Sequence, residues 1–498
     1  MFSGFHRFAP TILQMSRAAA VLAGAWLLAM LPATTAAAIE PSHPGASSDG
    51  VFQGLRGDGA GLGGAVLNVD TAMSFPTIQD AINAAVAGQT LEVTVPSLVE
   101  GQILVDRSLT LRGATGTEEV LMAVDTGSAG DARAWFLVET GVDLTVEGLT
   151  FDGNGFMVHQ AFRHRGTGSF ADCAFRDIQF NPSGPTYAGT AIVAFGGAVD
   201  VRRCSFETVG RVGILLFGAG VSGAVVEDSV FTGKGDGDFL DYGVEVGAGA
   251  VATVQRNRFT DARGVASSDG SRSAGMLVTT FFGPGTAATV EENDFEDNDR
   301  GLQVGFDGDT SAVTASFNRF FNNNFGMGST APGVLAENNW WCCNGGPLDM
   351  ACDTFKGPED PDFDPWLVLE VSADPPSAPG GTSSLITADL TMNSDGMDTS
   401  GLGHVPNDIP VLFSATLGIV NPSMVGTMDG IAEASFVAGP NPGPADVDAT
   451  VDCETVTAAV EVLPGGVAIP ALGPAGLALL ALLIACAAVV LRRRRVAS

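Results

Sequence analysis

One pattern of apolar and polar positions recurs along the middle of the chain. Each copy is a six-residue segment that ends in an aromatic residue, and successive copies lie 21 to 36 residues apart. The copies are VEGLTF (146–151), FADCAF (170–175), VRRCSF (201–206), VEDSVF (226–231), VQRNRF (254–259), VEENDF (290–295), ASFNRF (315–320) and AENNWW (336–341). Such short strands, with no helical periodicity and few Asn-Gly or Asp-Gly turns, are typical of a solenoid. We therefore predict an all-β fold, a right-handed parallel β-helix.

The repeat also predicts which side chains face the interior. Its last position forms a column of rings: Phe151, Phe175, Phe206, Phe231, Phe259, Phe295, Phe320 and Trp341. The position two residues earlier carries Leu149, Cys173, Cys204, Ser229, Asn257, Asn293, Asn318 and Asn339. We expect the rings to stack, and the asparagines to form a buried amide ladder at a corner, where asparagine tolerates a left-handed backbone. Cys173 and Cys204 are then small buried residues, with a disulfide between them as the alternative.

Charged residues precede that column, at Asp172, Arg203, Asp228, Arg256 and Glu292. Alternation of acid and base favours a ladder of ion pairs, because strands of neighbouring coils lie about 4.8 Å apart. The alternative is an active face for polysaccharide chemistry, since a hydrolase needs two carboxyl groups about 5–9.5 Å apart. The candidate catalytic residues for that alternative are Glu227, Asp228, Glu291 and Glu292.

Two other kinds of polar cluster are candidate sites. The segment MVHQAFRHRGTG (157–168) contains His159 and His164 together with two arginines, and we expect a solvated loop between coils. The acidic runs KGDGDFLD (234–241) and EENDFEDND (291–299) lack the D-x-D-x-D-G order of an EF-hand loop. We therefore predict no cofactor and no metal site, with calcium left open as an alternative.

The segment SFPTIQDAINAAVAGQTLEV (74–93) predicts a short amphipathic helix that covers the open end of the solenoid. Pro76 lies at its start, Gly88 at its end, and an apolar stripe runs between them. Together with VDRSLTLRG (105–113), this segment resembles the opening of exported bacterial parallel β-helix proteins with the pectate-lyase-like fold. It is also similar to the start of pectin methylesterases. The chain lacks QDTL-like, GRPW-like and R-x-P-x-x-R segments, so the resemblance implies the scaffold alone.

The segment NNWWCCNGGPLDMACD (338–353) resembles the closing segment of surface proteins of this type. That resemblance implies a disulfide between Cys343 and Cys352, which would stabilise the turn by about 2–3 kcal/mol. Cys342 stands where glycine is usual, and we expect it to compete for Cys352. A metal site of the form C-C-x8-C lacks a fourth ligand and is disfavoured.

The sequence pattern changes after residue 365. Short alternating strands with turn signals about every ten residues predict a β-sandwich over 366–464, and IPVLFSATLGIV with GIAEASF resembles bacterial immunoglobulin-like modules. In the last part, 465–498, the 20 uncharged residues from Leu472 to Leu491 predict a transmembrane helix, and an arginine cluster follows it. The preceding Ile469, Pro470, Ala471 and Leu472 resemble an IPTL-type carboxy-terminal sorting signal.

The N-terminal segment predicts the compartment, and the net charge narrows the choice of partners. Residues 1–38 have the basic start, apolar run and small-residue cleavage site of a signal peptide, followed by a flexible linker (39–65) and the β-helix (66–365). The net charge of −32 disfavours nucleic acid as a partner. We therefore predict an exported, membrane-anchored protein of the cell envelope or surface, leaning towards a non-enzymatic display, adhesion or matrix role. Its partners would be the membrane, a sorting protease and a glycan or matrix component. The alternative is a polysaccharide lyase or hydrolase.

Overall fold

The computed structural model describes residues 64–181, 188–306, 308–465 and 473–496, with side chains of the last segment described as far as residue 489. The predicted signal peptide (1–38), nearly all of the linker (39–65) and the sorting motif (469–472) lie outside the described residues. The described residues comprise the solenoid, the domain after it and the C-terminal helix.

The solenoid is a parallel β-helix of three sheets that the chain visits in turn. The first sheet contains, in spatial order, β2 (Met73–Phe75), β1 (Val66–Asn68), β3 (Thr90–Val93), β6 (Leu109–Gly113), β9 (Asp143–Glu147), β12 (Thr167–Ala171), β15 (Val199–Arg202), β18 (Ser222–Glu227), β21 (Val251–Gln255), β24 (Ala287–Glu291) and β27 (Ala312–Ser316). Its first two pairings, β1 with β2 and β1 with β3, are antiparallel, and its later pairings are parallel.

The other two sheets of the solenoid are parallel throughout their described pairings. The second contains β4 (Ser97–Glu100), β7 (Glu118–Met122), β10 (Leu149–Asp152), β13 (Ala174–Arg176), β16 (Ser205–Glu207), β19 (Val230–Gly235), β22 (Arg258–Ala262), β25 (Asp294–Glu296) and β28 (Arg319–Phe321). The third contains β5 (Ile103–Val105), β8 (Ala134–Val138), β11 (Gln160–His164), β14 (Thr190–Ala194), β17 (Val212–Phe217), β20 (Tyr242–Gly247), β23 (Ala274–Thr279), β26 (Arg300–Val304), β29 (Phe325–Ser329) and β30 (Phe355–Lys356).

The predicted aromatic column is present inside the solenoid. From Phe151 to Trp341, successive rings lie 4.6–5.3 Å apart between centroids and are nearly parallel. A column of glycines in the third sheet faces it: Gly213, Gly243, Gly275, Gly301 and Gly326. A Cβ on Gly275 would lie 2.8 Å from Cβ of Phe259 and 2.9 Å from the ring of Phe295. The rings stack because the strand that packs against them carries no side chain at that position.

The predicted amide ladder is also present, with one correction to its backbone. The backbone N–H of Asn257 donates to Oδ1 of Asn293 (2.9 Å), and the same bond joins Asn293 to Asn318 and Asn318 to Asn339. The left-handed residue is not the asparagine of the ladder but the residue before it, with φ of 54–58° at Arg256, Glu292, Phe317 and Asn338. The side chain therefore turns inward because the preceding residue bends the chain.

The same column begins with cysteine and serine, as expected. The N–H of Cys173 donates to Sγ of Cys204 (3.4 Å), that of Cys204 to Oγ of Ser229 (3.0 Å), and that of Ser229 to Oδ1 of Asn257 (3.0 Å). Cys173 and Cys204 are buried and are not disulfide-bonded to each other. Small side chains with one acceptor atom thus take the place of asparagine in the earlier coils.

A second ladder, which the sequence analysis missed, lies three residues after the rings. The N–H of Ala262 donates to Oδ1 of Asn298 (3.0 Å), that of Asn298 to Oδ1 of Asn323 (3.0 Å), and that of Asn323 to Oδ2 of Asp353 (3.1 Å). Burial raises the pKa of Asp353 to about 6. The last acceptor of this ladder is therefore a carboxyl group of the closing segment, whereas an amide could also have donated a further hydrogen bond.

The N-terminal helix α1 (Ile78–Ala84) covers the open end of the solenoid, as predicted. Its buried Gln79 accepts a hydrogen bond from the N–H of Leu104 (2.7 Å) and donates to the carbonyl of the same residue (3.2 Å). Leu104 lies in β5, the edge strand of the third sheet, so one side chain satisfies both of its backbone groups. Unpaired groups at a sheet edge would otherwise invite pairing with another chain.

The domain after the solenoid is a β-sandwich of two sheets. One contains β31 (Leu367–Asp374), β33 (Ser383–Asn393), β37 (Ile431–Ala438) and β35 (Gly418–Asn421). The other contains β32 (Ser377–Pro379), β39 (Glu454–Leu463), β38 (Gly443–Val451), β34 (Pro410–Ala415) and β36 (Met424–Gly426). This order places the first, second, fifth and fourth main strands on one sheet and the third, sixth and seventh on the other, the arrangement of immunoglobulin-like sandwiches. The predicted fold of this domain is confirmed.

The last described element is the helix α2 (Pro474–Val496), at the place where the sequence predicts a transmembrane helix; the helix is confirmed, and its transmembrane character is not. In the part of the chain that the structure describes, no helix meets the combined requirement of length and apolar character for crossing a membrane.

Candidate functional site

A cleft of about 750 Å³ lies where the last coils of the solenoid meet the sandwich. The solenoid contributes the left-handed corner residues of successive coils and the outward residues of β22, β25 and β28, and the sandwich contributes loops around β34, β36 and the turn between β38 and β39. The charged residues among those that line it are Asp228, Arg256, Arg258, Glu292, Asp294, Glu296, Arg319, His404, Asp408 and Asp452. Six carboxylates against three arginines and one histidine make the wall acidic, which disfavours polyanionic ligands.

Four of the five corner residues form two of the ion pairs that their alternation predicts, Arg203 with Asp172 and Arg256 with Asp228. Nε of Arg256 lies 2.8 Å from Asp228, and its NH2 group lies 2.5 Å from Glu227. One step earlier, Arg203 forms two hydrogen bonds with Asp172 at 2.7 and 2.8 Å. The hydrogen bond and charge of Arg203 lower the pKa of Asp172, and those of Asp228 raise the pKa of Arg256. These contacts therefore favour the ionised forms of Asp172 and Arg256.

Arg319 is the buried centre of the cleft, with 4% of its side chain exposed. Its guanidinium binds Asp452 of the sandwich through two nitrogens, at 2.9 and 2.5 Å, and Asp294 of the preceding coil at 2.7 Å. Burial opposes the charge of Arg319, but these carboxylates outweigh it and its pKa is raised. Burial raises the pKa of Asp294, against the effect of Arg319. One cation thus joins the two domains, through residues that lie 133 positions apart in the sequence.

Only two of the four candidate catalytic carboxylates line the cleft. Asp228 and Glu292 line the cleft, whereas Glu227 and Glu291 are not among its lining residues. Arg256 lies on the coil between Asp228 and Glu292, and these two acids are two coils apart, or about 9.6 Å at the strand spacing of a sheet. Oε1 of Glu292 lies 3.9 Å from Nε2 of His404, which also lies 3.4 Å from Asp429. His404 was not singled out from sequence, because no repeat places it near the solenoid.

Apolar contacts hold the two walls of the cleft together. Phe317 and Trp340, both from the solenoid, belong to the hydrophobic core of the sandwich. Trp340 is fully buried and its indole N–H donates to Asp452 (2.7 Å). The core of the sandwich thus extends into the last coil, so the cleft lies in a packed junction.

The basic segment around residue 160 is not the solvated loop that we expected. His164 is the last residue of β11, is fully buried, and shares its register with Val138 and Ala194 of the neighbouring strands. Burial lowers the pKa of both His159 and His164 to about 4. Arg163 and Arg165 form ion pairs with Asp131. The segment is a strand because Phe162 and His164 continue the buried positions of the neighbouring strands, and charge alone was a misleading sign of a loop.

The closing segment carries the implied disulfide. Cys343 and Cys352 are bonded, with Cα atoms 5.3 Å apart. Cys342 does not approach Cys352 as we expected, because its side chain points the other way: its Sγ lies 2.7 Å from Sγ of Cys453 in the sandwich. Among the described residues there is no group of three or more His, Cys, Asp or Glu side chains arranged to hold a metal ion.

Comparisons with known proteins agree with the fold and the tail. Residues 161–341 match the family model described as "Right handed beta helix region", which also supports the predicted handedness, and residues 467–495 match the IPTL-CTERM motif. No curated protein sequence matches the chain. A crystal structure of the periplasmic alginate epimerase AlgG matches with 10% identity and a TM-score of 0.35, over 53% of this chain and 62% of that one.

The β-helix and IPTL-CTERM matches define the class of protein. It is an exported surface protein, associated with the cell envelope, that carries a parallel β-helix and an IPTL-CTERM sorting motif. The chain spans somewhat less than two thirds of the length of the epimerase that it matches.

Proposed function

We propose that the protein is a non-enzymatic component of the cell surface, in which the solenoid and the sandwich form one stiff rod for display, adhesion or a matrix role. The observation that carries this proposal is the pairing of the cleft carboxylates with arginines of neighbouring coils. Asp228 is bound by Arg256, and Asp294 by Arg319. Carboxylates that are paired in this way fix the register of the coils and hold the two domains together.

The chemistry of glycoside hydrolysis supports the same proposal. A hydrolase needs one carboxyl group that is protonated near neutral pH and a second that is free to act as base or nucleophile. Oδ1 of Asp228 accepts a hydrogen bond from Nε of Arg256 at 2.8 Å, so this carboxylate is engaged by the neighbouring coil and is not free to act on a substrate. Arg256 also occupies the coil between Asp228 and Glu292, where a sugar ring would have to lie.

We also propose that the C-terminal segment holds the protein at the envelope until a sorting protease cuts near Ile469. The support is the match of residues 467–495 to the IPTL-CTERM motif, together with the arginine cluster that ends it. Deleting residues 469–498 should release the protein into the medium or periplasm, as measured by fractionation and immunoblotting. Equal fractionation of the full-length and truncated chains would contradict retention by this segment.

The test of the non-enzymatic role uses the purified protein on neutral and acidic polysaccharides. Release of reducing ends and formation of unsaturated uronates are measured for the wild type and for Asp228→Asn and Glu292→Gln. We expect no turnover in any of the three, while a glycan array reports binding separately. Glu337→Gln, outside the cleft lining, serves as a matched control for the loss of a carboxylate.

The polysaccharide-active alternative is favoured by one observation, the placement of Asp228 and Glu292 on opposite sides of one coil in the same cleft. It predicts cleavage that Asp228→Asn or Glu292→Gln abolishes and Glu337→Gln does not. That result would replace the display role by an enzymatic one. Because the cleft wall is acidic, neutral polysaccharides are the substrates on which this outcome is most informative.

A further inference from the structure

We infer that Cys342 and Cys453 form a second disulfide in the exported protein, which covalently joins the last coil of the solenoid to the sandwich. Their Sγ atoms lie 2.7 Å apart. That separation is above the roughly 2.05 Å of a disulfide bond but well below the roughly 3.5–4.0 Å at which non-bonded heavy atoms rest. Two thiols held at this distance need only a small movement to bond.

The backbone holds both cysteines in place before any bond forms. The N–H of Cys453 donates to the carbonyl of Cys342 at 3.1 Å. On one side of Cys453, Asp452 is bound by Arg319 and by the indole of Trp340. On the other side, Glu454 accepts a hydrogen bond from the N–H of Asn344 at 2.9 Å. The pair is therefore fixed by contacts on both sides that do not involve sulfur.

The backbone at Cys342 gives a second, independent reason. Its φ is 63°, in the left-handed region that favours glycine and is strained for other residues. A cysteine in this conformation directs its Sγ towards the sandwich, while the adjacent Cys343 bonds Cys352 within the closing segment. Two neighbouring cysteines thus point to two different partners, and each has one within reach.

The accessibility of the two thiols sets the order of the reaction. Cys453 is exposed, in the turn between β38 and β39, whereas Cys342 is 1% exposed. We expect the thiolate of Cys453 to attack the disulfide of a thiol-oxidising protein in the export compartment, which forms a mixed disulfide and releases one thiolate of the oxidant. Cys342 then loses its proton and attacks Sγ of Cys453. The oxidant leaves as a dithiol, having taken up two electrons and two protons from the pair.

The test is a peptide map of the full exported chain, alkylated without reduction. Trypsin cuts after Arg319 and Lys356, so Cys342 lies in 320–356 and Cys453 in the peptide that follows it. We expect these two peptides to be linked in the wild type and to separate on reduction. Because the Cys343–Cys352 disulfide spans Met350, cyanogen bromide cleavage there leaves both fragments attached to the Cys453 peptide if Cys342 is the partner, whereas a link to Cys352 releases the fragment that contains Cys342 and Cys343.

Variants then assign the bond. Cys342→Ser and Cys453→Ser should each abolish the link and leave the other cysteine fully alkylated, whereas Cys486→Ser, in α2, should leave the link intact. Recovery of Cys342 and Cys453 as alkylated thiols in the wild type would overturn the inference, and so would a link from Cys453 to Cys343 or Cys352. Because the main measurement uses the wild-type chain, a folding defect in a variant cannot mask the outcome. The peptide map measures neither catalysis nor retention at the envelope, so its result is independent of the proposed function.

Discussion

Replacing Asn293 by alanine should destabilise the solenoid from its interior. Oδ1 of Asn293 accepts the N–H of Asn257 at 2.9 Å, and its Nδ2 donates to the carbonyl of Val254 at 2.8 Å. Asn293 is fully buried, so water cannot replace either bond without entering the core. A buried polar group that loses its partner costs about 1–3 kcal/mol. Two such groups give an expected loss of about 2–6 kcal/mol in the free energy of opening.

Hydrogen–deuterium exchange followed by mass spectrometry suits this prediction, because it reports local opening in a protein of two domains. A loss of 2 kcal/mol corresponds to about 30-fold faster exchange, at about 1.4 kcal/mol per factor of ten. We expect that increase in peptides that cover 251–259, the coil before the substitution. Peptides of the sandwich serve as the internal reference and should exchange as in the wild type.

Asn293→Ser is the matched control, because the chain already uses serine in this column. Oγ of Ser229 accepts the N–H of Cys204 at 3.0 Å, so a serine preserves one of the two bonds. Its effect should fall between those of the wild type and Asn293→Ala. If alanine and serine were equal, or if alanine changed exchange less than about threefold, the side-chain ladder would not stabilise the coils.

Four other predictions concern the packing and the buried charges. Gly275→Ala should lower the melting temperature by overpacking the ring column, at a cost of about 1–3 kcal/mol, and an unchanged melt would mean that the column has spare room. Asp353→Asn should stabilise the protein at pH 7. The folded-state pKa of Asp353 is raised to about 6, so its protonated carboxyl group contributes stability to the wild type below about pH 4. That contribution, up to about 3 kcal/mol, is lost as pH rises through 6, and asparagine avoids the loss. Urea titrations at pH 4 and 7 measure it, and an equal gain at both would contradict the assignment. His164→Met should reduce the loss of stability as pH falls from 6.5 towards 4, since the folded-state pKa of His164 is lowered to about 4; the same acid unfolding curve in both proteins would refute it. Arg319→Met should leave Asp452 buried without its cation and cost about 3–5 kcal/mol, seen as faster proteolysis between the domains, and wild-type resistance would show that apolar contacts suffice.

The repeat explains why the interior of the solenoid was predictable. When each coil repeats the same pattern, a residue type that recurs at one position must recur in one column, which is why the rings and the asparagines were placed correctly. The second ladder escaped because only Asn298 and Asn323 carry amides there, and it ends on Asp353 outside the six-residue segments. Its signal, an asparagine three positions after the ring, covers only the two successive coils of Asn298 and Asn323.

The junction of the domains was beyond sequence reasoning. Cys453 and Cys342 are 111 residues apart, and Arg319 and Asp452 are 133 apart, with no periodic pattern that joins them. The sequence pattern relates each of these residues only to its own domain. Half of the candidate site, the wall that contains His404, therefore became visible only once the two domains were placed together.

The covered ends of the solenoid restrict how its length can change during evolution. Helix α1 closes one end by satisfying β5, and the sandwich closes the other by drawing Trp340 into its own core. Extension at either end would therefore first have to remove a cap. A duplicated coil in the middle meets the same ring, glycine and asparagine columns above and below it, and adds about 4.8 Å of height. The rod can therefore grow or shrink by whole coils from within while both caps and the envelope tail stay unchanged.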